Sequence, residues 1–226
     1  MKTLKFIILM VCCSAFFACS EDDAELCSAY VDMNTTDYLR KNQFQIFTMS
    51  LELFEKAGYL DLLDKEGVTV FMPTNYSIKH YLAQKTALLQ EETGNENLEY
   101  TFDDLIADLP QVGDSLKMYI VDQKINRSDL EQMSGESVTV ECMLGCEMNI
   151  RLKQSKLYTE WVPNSVNKYL YYTFIINGLD PDTGTVPVED KDVTNYCQTS
   201  GLITKTGILH VLRDEHPLFF NRYEYK

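Results

Sequence analysis

Histidine is scarce in this chain: across 226 residues only His80, His210 and His216 occur. A Ser-His-Asp hydrolase would need one of them beside an activated serine, and no G-x-S-x-G elbow is present to hold one. The H-E-x-x-H pair of helical zinc sites is missing as well. Basic residues are few, 20 Lys and Arg against 34 Asp and Glu, a formal charge of -14. Nucleic acid and anionic lipid would approach such a surface against repulsion, so neither is an expected partner. No apolar run reaches the roughly 20 residues that a membrane-spanning helix needs. Internal repeats of useful length are also lacking. Apolar residues are not in short supply: at 45% of the chain they can build a core of ordinary size.

The longest apolar stretch is at the start. Lys2 and Lys5 precede "FIILMVCCSAFF", Phe6 to Phe17, which is too short to anchor but suits a secretory signal. An ordinary cleavage site wants small residues at both recognition positions; here Ala18 is small, Phe16 is bulky, and Cys19 follows at once. "FFAC" resembles a lipobox, which implies that Cys19 becomes the acylated first residue of a lipoprotein. Glu21, Asp22, Asp23 and Glu25 come next, crowded like charges that favour an extended, solvated tether. They resemble the acidic export signal behind the lipidated cysteine of surface lipoproteins in Bacteroidetes-type bacteria. The expected division is a signal peptide over 1–18, an acidic tether over 19–36 and a folded domain over 37–226. The expected location is the outer membrane, lipid-anchored and surface-exposed.

Within the domain, Phe47, Leu51 and Phe54 recur at helical spacing and Gly58 stands ready to end the helix, with a shorter helical turn beyond. "VTVFM", Val68 to Met72, is a β-branched run that Pro73 ends, because proline cannot donate to a sheet ladder. A second helix follows, with Thr74 or Asn75 as its cap and Ile78, Tyr81, Leu82, Leu88 and Leu89 on one face. His80 falls on its surface or half-buried side. After "FDDLIADL" and "SLKMYIVDQKI", the stretches "SVTVECMLGCEMNIRLK", "KLYTEWV" and "YLYYTFIING" read as antiparallel strands. The last strand is "GILHVL", Gly207 to Leu212, and His216 before Pro217 reads as a loop residue. Helices and strands are segregated, so the fold class is α+β.

The order of "VTVFMPTN", "LKMYIV" and "TGILHVL" resembles a fasciclin-like domain, from about Asp37 to Asp214. The family pattern is a Thr-Val-Phe-Ala-Pro-Thr-Asn strand end, a central Tyr-His and a closing Asn-Gly-Val-Ile-His-Val strand. Here Met72 replaces alanine, Met118-Tyr119 replaces Tyr-His, and Thr206 replaces asparagine. The resemblance implies a compact β wedge with helices around it, used for adhesion or binding without a cofactor. Residues 134–200 look like extra strands inserted before the final motif. The adhesive role of Tyr-His in animal members does not transfer to a chain that lacks it. Pro73, Thr74, Asn75, Tyr119, Gly207 and His210 are the motif positions, and the Thr74-Asn75 step is expected to be a structural joint: a side chain there caps the following helix. His210, on a strand close to the one ending at Pro73, is expected to satisfy buried backbone groups.

Other constellations have plain readings. Asp180, Asp182 and Gly184 open like a calcium loop, but Lys191 stands where the bidentate glutamate belongs, which leaves a turn. Cys27, Cys142, Cys146 and Cys197 follow the lipidated residue; "CMLGC" suits either a Cys142–Cys146 bridge across Gly145 or two buried thiols, with the bridge favoured. Carboxylate pairs of the glycosidase kind are defined by separation in space and stay open. Trp161, Tyr171 and Tyr172 are candidate contacts or core. The function expected is a non-catalytic surface module for a glycan or protein partner; the alternatives are an accessory subunit of outer-membrane nutrient uptake and a hydrolase.

Overall fold

The computed structural model describes residues 29–154, 168–181 and 183–221. Cys19 with its signal and the acidic stretch, Cys27, Trp161 with "KLYTEWV", and Asp182 lie outside them. The elements belong to a single compact unit, Val31–Lys226.

Its first helix, α1 (Thr35–Lys41), belongs to the packed domain rather than to a tether. Thr35 and Thr36 are buried. The Thr36 backbone N–H and hydroxyl both donate to the Asp64 carboxylate, which sits at the end of a 3-10 turn, Leu60–Asp64. Helix α2 (Thr48–Lys56) buries Phe47, Leu51, Leu53 and Phe54, so its apolar spacing is used as expected. Strand β1 (Val68–Met72) is buried at every position, as a central strand covered on both faces must be. Helix α3 (Asn75–Thr93) ends at Gly94, whose left-handed conformation suits glycine. Only its first turns are buried, at Ser77, Ile78 and Tyr81; Leu82 and Leu89 are half-buried and Leu88 is exposed, so the anticipated face does not run the length of the helix. Leu88 and Leu89 are about 100° apart around a helix, so the face that half-buries Leu89 leaves Leu88 at its outer edge.

Two short helices, α4 (Phe102–Ala107) and α5 (Leu109–Val112), lead through a 3-10 turn over Gly113–Tyr119 into β2 (Ile120–Val121). Helix α6 (Arg127–Gln132) then precedes β3 (Ser137–Glu141), β4 (Glu147–Gln154), β5 (Lys168–Phe174), β6 (Val193–Ile203) and β7 (Gly207–Leu212). Among the described residues, the seven strands join in one sheet of order β2-β1-β7-β6-β5-β4-β3. β1 and β7 run parallel, and the remaining pairs are antiparallel. The two edges approach each other: Val121 forms a bridge with Cys142, and the Met143 N–H donates to the Ile120 carbonyl at 2.8 Å. The sheet is therefore nearly closed, which shields strand edges that would otherwise invite pairing with another chain.

The strands between 134 and 200 are part of this sheet and not an appendage to it. Tyr172 of β5 stacks flat on Phe71 of β1, ring centroids 3.7 Å apart, and donates its hydroxyl to the Met118 carbonyl at 2.6 Å. β6, which propensity alone did not reveal, is the longest strand among the described residues and lies between β5 and β7.

Candidate functional site

The motif residues converge where β1, β7 and α3 meet. Gly207 begins β7 opposite Val68, and a Cβ placed on it would lie 2.1 Å from the Val68 carbonyl oxygen. Only glycine lets the two strands pair at that register. Thr206 accepts the Gly67 N–H at its carbonyl, and its hydroxyl lies 3.3 Å from that of Thr35. With Thr204, 2.9 Å from Thr35, it ties α1 to the turn before β7. The departure from the family asparagine thus has a structural counterpart.

Pro73, Thr74 and Asn75 form a joint, though not the one anticipated. Thr74 takes the N-cap place of α3, but no side-chain cap bond forms there. Its hydroxyl donates instead to Asp214 Oδ1 at 2.8 Å, in the turn beyond β7. Asn75 serves a different helix: its Oδ1 accepts the Met49 N–H at 2.9 Å, and its amide donates to the Gln45 carbonyl and the Thr48 hydroxyl, each at 2.9 Å. The residue before α2 is Phe47, which has no side-chain acceptor, so Asn75 caps α2 from across the fold. Ser50 Oγ donates to the Pro73 carbonyl at 2.7 Å and completes the splice.

His210 is fully buried, facing the Phe71 ring at a centroid distance of 4.9 Å. Its Nδ1 accepts the Gly201 N–H at 3.0 Å, which places the ring proton on Nε2, 3.1 Å from the Ile125 carbonyl. Burial lowers its pKa to about 4, with the charge of Arg127 acting in the same direction. Two buried backbone groups are satisfied by one neutral imidazole, as expected.

Tyr119 is also fully buried. Its hydroxyl oxygen accepts the Phe219 N–H at 2.7 Å and lies 2.8 Å from His216 Nε2. Phe219 and Phe220 hold left-handed conformations, φ 58° and 55°, and both are buried. Such backbone costs on the order of 1–2 kcal/mol per residue, and the bond to Tyr119 helps hold it. His216 is a loop residue by position, but it is completely buried, and burial with the Arg213 charge lowers its pKa to about 3. The hydrophobic surroundings of Leu218, Phe219 and Phe220 were the signal for this in the sequence.

The bridge expected between Cys142 and Cys146 is not formed. Both side chains are thiols; the two residues are joined through their backbones, the Cys142 N–H donating to the Cys146 carbonyl at 2.9 Å across the Gly145 turn. Gly145 adopts φ 87°, so the turn closes without a covalent link. Cys197 is buried, and burial raises its thiol pKa.

A second assembly lies on the outer sheet face. Alternate residues of three strands point the same way: Asn149, Arg151 and Lys153 on β4, Tyr169, Tyr171 and Thr173 on β5, Thr194 and Tyr196 on β6. Tyr172 points inward and is buried, so it is core rather than a contact. Tyr171, half-exposed, meets Tyr196 edge-on at 6.3 Å. Beside them is a cleft of about 280 Å³ lined by Arg151, Tyr171, Leu179, Asp180, Asp192 and Thr194 among others. Asp192 Oδ1 accepts the Ile176 N–H and its Oδ2 the Asp180 N–H, while Asp180 accepts the Asp192 N–H in return. The segment read as a turn is thus a loop closed by reciprocal aspartates. Among the described residues no group of three His, Cys, Asp or Glu could hold a metal ion. None of these cleft residues except Tyr171 and Asp180 stood out in the sequence, although the polar alternation of Asn149, Arg151 and Lys153 marked an outward face.

Comparison with curated proteins found no match. Among solved structures, a FAS1 domain pair from the insect cell adhesion molecule fasciclin I is similar, with 9% identity, a TM-score of 0.44, and coverage of 76% of this chain and 44% of that one. The chain therefore spans less than half of that pair. The model of the fasciclin domain, a module known in cell adhesion proteins, matches residues 45–180, from the capped start of α2 through β5. The chain belongs to the fasciclin domain family.

Proposed function

We propose that the chain is a non-catalytic recognition module, held at the outer membrane by a lipid on Cys19, addressed to the cell surface by its acidic stretch, and binding a glycan or protein partner there. The observation that supports it is the way the motif side chains are engaged. Thr74, Asn75, Tyr119 and His210 direct their polar atoms to groups of the same chain. A buried imidazole that accepts one backbone bond and donates another has no ring nitrogen left to take a proton from a nucleophile. Recognition then falls to the surface that this joinery holds in place.

The test is a Cys19→Ser chain compared with wild type by cell fractionation, followed by capture of partners from intact cells with the lipid-free domain. The variant is expected in the soluble fraction, and the domain is expected to capture a surface protein or glycan without turning over a hydrolase substrate panel. Membrane retention of the variant at wild-type level would overturn the anchor. Substrate turnover lost in His210→Ala at unchanged stability would overturn the non-catalytic reading.

A further inference from the structure

We infer that the cleft beside Tyr171 is a binding site for a neutral sugar ring, an assignment that rests on the recognition module proposed above and names its ligand. Charge narrows the choice of ligand. Although the chain is strongly acidic, the cleft is lined by two cations, Arg151 and Lys153, and two carboxylates, Asp180 and Asp192. Donors and acceptors therefore face the same small space in balance. A ligand carrying net charge of either sign would meet a like charge, whereas a polyhydroxyl ring both donates and accepts.

Shape points the same way. At about 280 Å³ the cleft lies just below the usual span of small-molecule sites, about 300 to 1,000 Å³, and suits nothing larger than a single ring with its substituents. Tyr171 presents an aromatic body on the floor, and Leu179, half-exposed, lies at the rim. These are the apolar groups that the C–H face of a pyranose would cover.

The polar lining is fixed in advance. Asn149 is buried and its amide donates to Ser137 Oγ and Thr139 Oγ1 at 2.9 and 3.1 Å. Thr173 and Thr194 hydroxyls pair at 3.0 Å. The reciprocal bonds of Asp180 and Asp192 hold the loop wall. Rigid walls reduce the ordering cost of binding.

The experiment is an array of immobilised neutral oligosaccharides of hexose, N-acetylhexosamine and pentose, beside uronate-bearing and sulfated counterparts, probed with the lipid-free domain. Wild type is expected to bind a subset of the neutral glycans with little dependence on salt. Tyr171→Ala is expected to weaken that binding at least tenfold with its melting transition retained, and Tyr171→Phe to keep most of it. Should Tyr171→Ala unfold, Leu179→Asp, at the half-exposed rim, is expected to show the same loss in a folded chain. Binding confined to acidic glycans, or wild-type binding by folded Tyr171→Ala or Leu179→Asp, would overturn the site. Capture of a protein partner with no array signal would overturn the sugar assignment and leave the recognition module standing, while failure to capture anything from cells would overturn the module itself.

Discussion

At the scale of single residues, Asn75 shows how one side chain can serve a helix other than its own. Its carbonyl oxygen receives the Met49 N–H, and its amide closes the chain at Gln45 and Thr48. Loss of a cap typically costs about 1 kcal/mol, and a stranded buried partner about 1–3 kcal/mol. Asn75→Ala is expected to lower stability by roughly 1–3 kcal/mol. Asn75→Asp, which keeps the acceptor and loses the donors, is expected to fall between that variant and wild type; urea midpoints of the three would check the order. Sequence showed that Pro73-Thr74-Asn75 was a joint but not what it joined, since the partner amide is 26 residues away.

The two buried histidines contribute to the response to acid. Both are neutral in the fold, with pKa values lowered by burial from the ordinary 6.5 to about 4 for His210 and about 3 for His216. Well above pH 6.5 folded and unfolded chains bind equal numbers of protons at these sites, and stability is unaffected. Below it the unfolded chain takes up protons that the fold excludes, so stability falls until the folded values are reached. Between pH 6.5 and 5, above most carboxylate titration, each histidine is expected to remove about 1.5 kcal/mol. Denaturant midpoints measured over that window should decline together with pH; a flat profile would contradict the buried neutral assignment.

At the scale of elements, β1, α2 and β7 were legible because their signals are local: a β-branched run ended by proline, a 3.6 spacing of apolar residues, and a short apolar strand after glycine. β6 was not. Its register against β7 shifts twice, between Cys197 and Thr199 and between Thr199 and Leu202, and its burial loses the alternation that marks a strand. The cleft on the outer face was illegible for a related reason, as three strands and a loop distant in sequence must pair before its lining exists. The segment 134–200 looked like an ornament, whereas Tyr172 within it stacks on Phe71 and β6 flanks β7. Tyr172→Ala is therefore expected to cost about 3–5 kcal/mol, the range for deleting a large buried aromatic. Calorimetry would check it, and a loss below about 1 kcal/mol would mean that the inserted strands pack independently of β1.

For the whole molecule, the sheet order has a consequence for how the chain reaches its fold. β1, near the start of the domain, lies beside β7, near its end, and their pairing runs from Val68↔Gly207 to Met72↔Val211. Closing so long a loop is slow, because its entropy must be lost before contacts compensate. A ribosome-bound or translocating chain that has not yet released Gly207–Leu212 cannot put β7 against β1, so its central strand stays uncovered on that side. The fold is thereby withheld until late in synthesis, and the chain remains threadable for as long as β7 is absent.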